Sequence, residues 1–105
     1  MDARRRRVVW TQSALSSLDE ILSYVRADSP AAASRVLERI LERAEGLDRF
    51  SERGRVVPEL ADPKTREVIV SSYRMLYEVT PSEVRILALV HGARDFESWR
   101  GSREP

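Results

Sequence analysis

The residues able to do chemistry in this chain are few and gather toward its C-terminal end: Arg74, His91 and Arg94, with Arg66 a short way upstream. Cleaving RNA through its 2'-hydroxyl needs a general base, a general acid and cations that stabilise the charged phosphorane. Arginine supplies charge in a planar fork that matches phosphate, and His91, the single histidine, could move a proton near neutral pH. Plainer roles stand beside these. A histidine at a strand end can serve only as a hydrogen-bond partner, and Arg74 can close a cross-strand ion pair with Glu67. One histidine without a carboxylate cluster at ligand spacing gives no metal site. With no cysteine there is neither a disulfide nor a zinc–thiolate site, and nothing in the sequence calls for a cofactor.

The stretch from Arg66 to Asp95 must position these groups, and it reads as three strands joined by two short turns. Val68 and Val70, then Tyr73, Met75, Tyr77 and Val79, then Val84, Ile86, Ala88 and Val90 fall at period-two spacing. The two-residue link Ser71-Ser72 sets Val70 opposite Tyr73, Val68 opposite Met75 and Ile69 opposite Arg74. The link Thr80 to Glu83 sets Val79 opposite Val84, Tyr77 opposite Ile86 and Met75 opposite Ala88. Both hairpins then place their large apolar residues, including Tyr73 and Tyr77, on one core face. A one-residue slip would reverse every side chain. The second face collects Ile69, Arg74, Leu76, Leu87, Leu89 and His91, with Glu78 and Arg85 toward its edge. On this register Arg74 lies opposite Leu89, with His91 two residues further along the same face. Arg74, Leu76, Arg85, Leu87 and Leu89 are therefore the candidate partner-binding residues. A soluble monomer seldom leaves such a patch bare. Either the tail covers it through Phe96 or Trp99, or an amphipathic partner segment with acidic flanks does.

Upstream, Val8 to Trp10 reads as a short first strand. From Thr11, a candidate N-cap, Ala14, Leu15, Leu18, Ile21, Leu22 and Val25 form the apolar stripe of a first helix. Asp28-Ser29-Pro30 breaks and restarts it, with Ser29 as cap and Pro30 at the first helical position. The second helix carries Val36, Leu37, Ile40, Leu41, Ala44 and Leu47 on one face, and Arg35, Glu38, Arg39 and Glu42 at ion-pair spacing outside it. Two amphipathic helices with so short a link predict an antiparallel hairpin packed on the sheet. The expected fold is α+β: an antiparallel sheet of three C-terminal strands plus a short N-terminal strand, with the two-helix hairpin on one face.

A length of 105 residues fits one domain, with residues 1–7 a basic N-terminal segment and 97–105 a C-terminal tail. Net charge is only +1 although a third of the residues are charged, and Lys64 is the sole lysine. The run Arg4 to Arg7 could touch nucleic acid or simply solubilise the segment before the first strand. No apolar run approaches the ~20 residues that span a bilayer, and no signal-like apolar region follows the arginines. A cytoplasmic protein without membrane contact is expected.

The order of these elements, with Gly54-x-Val-Val-Pro-Glu-Leu60, Tyr73-Arg74-Met75-Leu76-Tyr77 and a last strand closing in His91-Gly-Ala-Arg94-Asp95, resembles the RelE/ParE superfamily of bacterial toxins from about Val8 to Phe96. The resemblance implies the toxin of a type II toxin–antitoxin system, of a kind that stabilises plasmids, neutralised by a cognate antitoxin that wraps it. RelE-like members are ribosome-dependent endoribonucleases that cut mRNA. ParE-like members instead poison DNA gyrase through a protein–protein contact. The long helical hairpin and the Val-Pro-Glu-Leu loop look more like ParE. The nuclease pattern is incomplete here. It carries lysines on the strand before the Tyr-Arg motif and a late tyrosine, whereas this chain offers Glu67 and Ile69, keeps Lys64 in a turn and has no tyrosine after Tyr77. The expectation is thus a ParE-like gyrase inhibitor. The alternatives are an mRNA endonuclease, for which Arg74, His91 and Arg94 would be the catalytic residues, and an inactive binding module.

Overall fold

The computed structural model describes residues 5–102. Its elements are β1 (Arg7–Trp10), α1 (Gln12–Asp28), α2 (Pro30–Glu45), a single 3-10 turn (Gly46–Asp48), β2 (Arg55–Val56), β3 (Thr65–Val70), β4 (Tyr73–Val79), β5 (Glu83–Val90) and α3 (Ala93–Ser102). The five strands form one sheet in the order β1-β5-β4-β3-β2. The fold is α+β.

The helical hairpin forms where its caps dictate. The Thr11 hydroxyl accepts from the Ala14 N–H at 3.1 Å and also donates to the Ile86 carbonyl at 2.8 Å, so one side chain both starts α1 and ties it to β5. The Ser29 hydroxyl accepts from the Ala32 N–H at 3.1 Å, with Pro30 following as the first residue of α2. The stripes of α1 and α2 close on one face of the sheet, where Ala14, Ile40, Ala44 and Leu47 meet Val68, Met75, Tyr77, Val84 and Ile86. None of the expected pairs among Arg35, Glu38, Arg39 and Glu42 closes to ion-pair distance among the described residues.

The sheet departs from an all-antiparallel one at β1, which pairs with β5 in parallel, Val8 beside Val84 and Trp10 beside Ile86. A parallel neighbour requires a crossover connection: after β1 the chain passes through the helical hairpin to the far edge of the sheet, and β2, β3 and β4 then lead back to β5. The residues Arg55–Val56 form β2 on the other edge.

The β3–β4 register is the expected one throughout, from Thr65 beside Glu78 to Val70 beside Tyr73. The β4–β5 register holds from Val79 beside Val84 to Tyr77 beside Ile86 and then slips: Leu76 pairs with Ala88, Met75 with Leu89 and Arg74 with Val90. Leu87 is the extra residue of a β-bulge. Beyond it every side chain of β5 changes face, so Leu89 joins the core under the helices while Ala88 and Val90 turn to the opposite side.

That opposite side is no bare strip. The tail folds as α3 and lays Phe96 and Trp99 over Leu76, Ala88 and Val90, with Val57 completing a second core and Leu60 and Leu87 at its margin. Full burial of a side chain such as Phe96 contributes about 1.5–3 kcal/mol, which is why this short helix stays down. Leu76 and Leu89 are buried. They are therefore not surface positions for a partner, and an aspartate at Leu76 should unfold the domain just as one at Met75 would.

Candidate functional site

The covered face carries a chain of charges that extends the Arg74–Glu67 pair expected from the sequence to Arg55 and Glu59. Glu67 lies on β3 with its side chain 1% exposed, and it is held by the Arg74 guanidinium at 2.6 Å and by Arg55 Nε at 2.5 Å. A buried carboxylate persists only when so paired. Arg74 continues the chain by grasping Glu59 with two parallel bonds, Nη2 to Oε1 at 2.9 Å and Nη1 to Oε2 at 3.1 Å. Its guanidinium also stacks 4.9 Å from the Phe96 ring, which locks α3 onto the network. The hydrogen bond from Arg74 holds the Glu59 carboxyl below its ordinary value of 4.5, and Glu59 reciprocally raises the Arg74 pKa above its usual level. Arg74 thus spends its donors on two carboxylates of its own chain. An incoming phosphate would have to displace Glu59.

The bulge also separates the two leading catalytic candidates. Arg74 points to the α3 face. The exposed His91 ring instead lies 5.2 Å from the ring of Tyr73, a residue packed against the core beneath the helical hairpin, and the His91 N–H is held by Asp95 Oδ2 at 2.9 Å. The third candidate, Arg94, is exposed on the first turn of α3. Arg66 donates to the Gly54 carbonyl at 2.9 Å and so acts as a strap between β3 and the loop before β2. Of the partner-binding candidates, Arg85 is exposed beside Glu78 at 3.2 Å and Leu87 is half-buried at the margin of α3.

Two structural roles escaped the sequence. The Gly54 N–H donates to the buried Tyr77 hydroxyl at 2.9 Å. A Cβ at Gly54 would collide with the Glu67 carbonyl oxygen and sit 2.5 Å from that hydroxyl, so only glycine fits. Burial raises the Tyr77 pKa, with the Gly54 N–H and nearby Arg66, Arg43 and Arg53 opposing the shift. The arginine run is likewise absorbed into the fold: Arg5 pairs with Asp48 at 3.1 Å, Arg7 with Glu83 at 2.9 Å, and Arg6 clamps the Thr80 carbonyl at 2.7 Å and the Ser51 hydroxyl at 2.5 Å. Arg4 lies outside the described residues.

A sheet with a helical hairpin on one face and a terminal helix on the other is an arrangement found in known proteins. Residues 8–96 match the family described as the ParE toxin of the type II toxin–antitoxin system parDE. The chain belongs to the ParE toxin family. Among relatives of this ParE-family chain, a protein named toxin RelE2 from Caulobacter vibrioides is 39% identical over 89 residues, covering 84% of this chain and 97% of that one. A putative toxin, Y4kP, from Sinorhizobium fredii is 36% identical over 89 residues, covering 83% and 88%. Of solved structures, a chain of the chromosomal ParDE system of P. aeruginosa superposes with a TM-score of 0.70 at 23% identity, covering 85% of this chain and 98% of that one, a likeness of fold. A chain of the RelBE2 toxin–antitoxin complex of Mycobacterium tuberculosis gives 0.62 at 26% identity, covering 89% and 99%. This chain is a type II toxin of the ParE/RelE superfamily. No helix among the described residues is long and apolar enough to cross a membrane.

Proposed function

We propose that this toxin acts on DNA gyrase and blocks replication through a protein–protein contact, without cutting nucleic acid, and that a cognate antitoxin neutralises it. The observation that carries the reading is the Leu87 bulge. It turns His91 to the side of Tyr73 and leaves Arg74 on the other face, bound to Glu67 and Glu59. General acid–base catalysis needs the proton carrier within ~3 Å of the group it serves, and a phosphate held at Arg74 would not meet His91. The match to the ParE toxin family supports this reading. An antitoxin partner is supported by the ParDE and RelBE2 neighbours, both from toxin–antitoxin systems.

The second reading, a ribosome-dependent mRNA endonuclease, draws on the relative named RelE2. Primer extension on mRNA bound to translating ribosomes tests it, with antitoxin-free protein and its His91→Gln variant. The proposal expects uncut mRNA from both. Codon-specific cuts by the wild type that fall ~10²-fold in the variant would replace the gyrase reading by the nuclease one.

A further inference from the structure

The cations and acids of α2 stand on separate flanks of the helix. Arg35, Arg39 and Arg43 follow one another at four-residue steps and form a file beside the buried stripe of Ala33, Ile40 and Ala44, with ~6 Å of axial rise between successive members. The acids Glu38, Glu42 and Glu45 fall on the other side, where Glu42 and Glu45 border a hollow shared with Arg5, Arg6 and Arg7. The arginine flank faces the end of β3. There Arg39 and Arg43 wall a groove of about 430 Å³ together with Arg53 of the loop before β2, Ile69, and Ser71 of the β3–β4 turn, and Glu42 is the one acid that borders it. Burial raises the Tyr77 pKa, and Arg43 and Arg53 are among the charges that oppose the rise, so helix and loop bring their cations to one place.

Arg35, Arg39, Arg43 and Arg53 are all exposed, and no carboxylate lies within ion-pair distance of them among the described residues. Like charges at four-residue spacing weaken a helix, a cost that an anion lying along the file would offset. We propose that this file grips the phosphodiester backbone of a DNA duplex held by gyrase, Arg35, Arg39, Arg43 and Arg53 each taking a phosphate, so that the toxin recognises gyrase with its DNA rather than the bare enzyme. A nucleic-acid strand carries one charge at every step of a line, as the file does, whereas a folded protein scatters its carboxylates among other side chains. Each guanidinium fork meets a phosphate through two parallel bonds, and the exposed Ser71 hydroxyl at the groove supplies a further donor. The proposal rests on the reading of the chain as a gyrase toxin and adds a DNA contact to the protein–protein one.

The test titrates the antitoxin-free full chain against purified gyrase, against gyrase carrying a linear DNA duplex, and against the duplex alone. Affinity for gyrase with the duplex should exceed that for gyrase alone by more than tenfold, and four phosphate contacts should make it fall ~10²-fold between about 50 and 200 mM salt. Arg39→Gln with Arg43→Gln should cut that fall to ~10-fold, whereas Arg26→Gln, at an exposed arginine in the last turn of α1, should leave it unchanged. Thermal melts confirm that the variants are folded. Equal affinity with and without the duplex would overturn the inference alone and leave the gyrase reading standing. A double variant weakened as much on bare gyrase would overturn it by assigning the file to an acidic protein surface. Tighter binding of a labelled single-stranded RNA than of the duplex would overturn it in favour of RNA. No capture by gyrase in either form would remove the gyrase reading and the inference with it.

Discussion

Arg74→Met should leave Glu67 buried with Arg55 as its only partner, and Arg55 is itself two-thirds exposed. Breaking one side of a buried pair costs about 3–5 kcal/mol, and the partial help from Arg55 puts the expected loss near the lower end, about 3. Glu67→Met is milder, about 1–2 kcal/mol, because Arg74 is 16% exposed and keeps both bonds to Glu59. With Arg74→Met and Glu67→Met combined, no unpaired charge is left in the second core, and two methionines can pack against Phe96 and Leu76. The double variant should then lose about 2 kcal/mol, giving a coupling of about 2–3 kcal/mol. Urea melts of the four proteins measure this. A double loss equal to the sum of the singles within about 0.5 kcal/mol would refute the buried network. The same set separates structure from catalysis: growth inhibition on induction should fall in the Arg74→Met single and return in the stable double. A double variant that is folded and harmless would make Arg74 a functional arginine after all.

Three further outcomes follow from the geometry. Gly54→Ala should destabilise by about 1–3 kcal/mol, since its Cβ meets the Glu67 carbonyl and the Tyr77 hydroxyl; denaturant midpoints at unchanged m-value check this. Ser71 holds φ 56° in the two-residue β3–β4 turn, so Ser71→Gly should stabilise by up to about 1 kcal/mol, read as a raised Tm. Because the Glu59 carboxyl is held below its ordinary value of 4.5, its contribution to stability is present above that value and is lost as pH falls through the lower folded value. Glu59→Gln should remove that acid-range loss, and melts across pH 2–6 on the two proteins, a range set by ordinary carboxylate values, compare the slopes.

Where the sequence spoke through local rules it was legible: Thr11 and Ser29 cap the helices, and the β3–β4 register follows from a two-residue link that leaves no freedom. The β4–β5 register was legible only up to Tyr77. No residue type marks the bulge at Leu87, because an unbroken apolar run from Ile86 to Val90 satisfies either face, and both faces here are covered. The second core was legible only as one of two alternatives, cover of this face by Phe96 or Trp99 of the tail or by a partner segment. Phe96 and Trp99 recur at helical spacing among polar residues, but nothing local showed that their helix would return to the sheet. Of the site, the Arg74–Glu67 pair was readable from the register. Glu59 was not, since a loop residue reaches a strand only through the path of the chain.

The central claim is that this toxin acts on gyrase rather than on RNA. Supercoiling of relaxed plasmid by purified gyrase, titrated with antitoxin-free protein, tests it most directly. The account predicts loss of supercoiling as the toxin is added and full recovery when the antitoxin is supplied. Normal supercoiling at every concentration, from a preparation that still arrests growth, would contradict it.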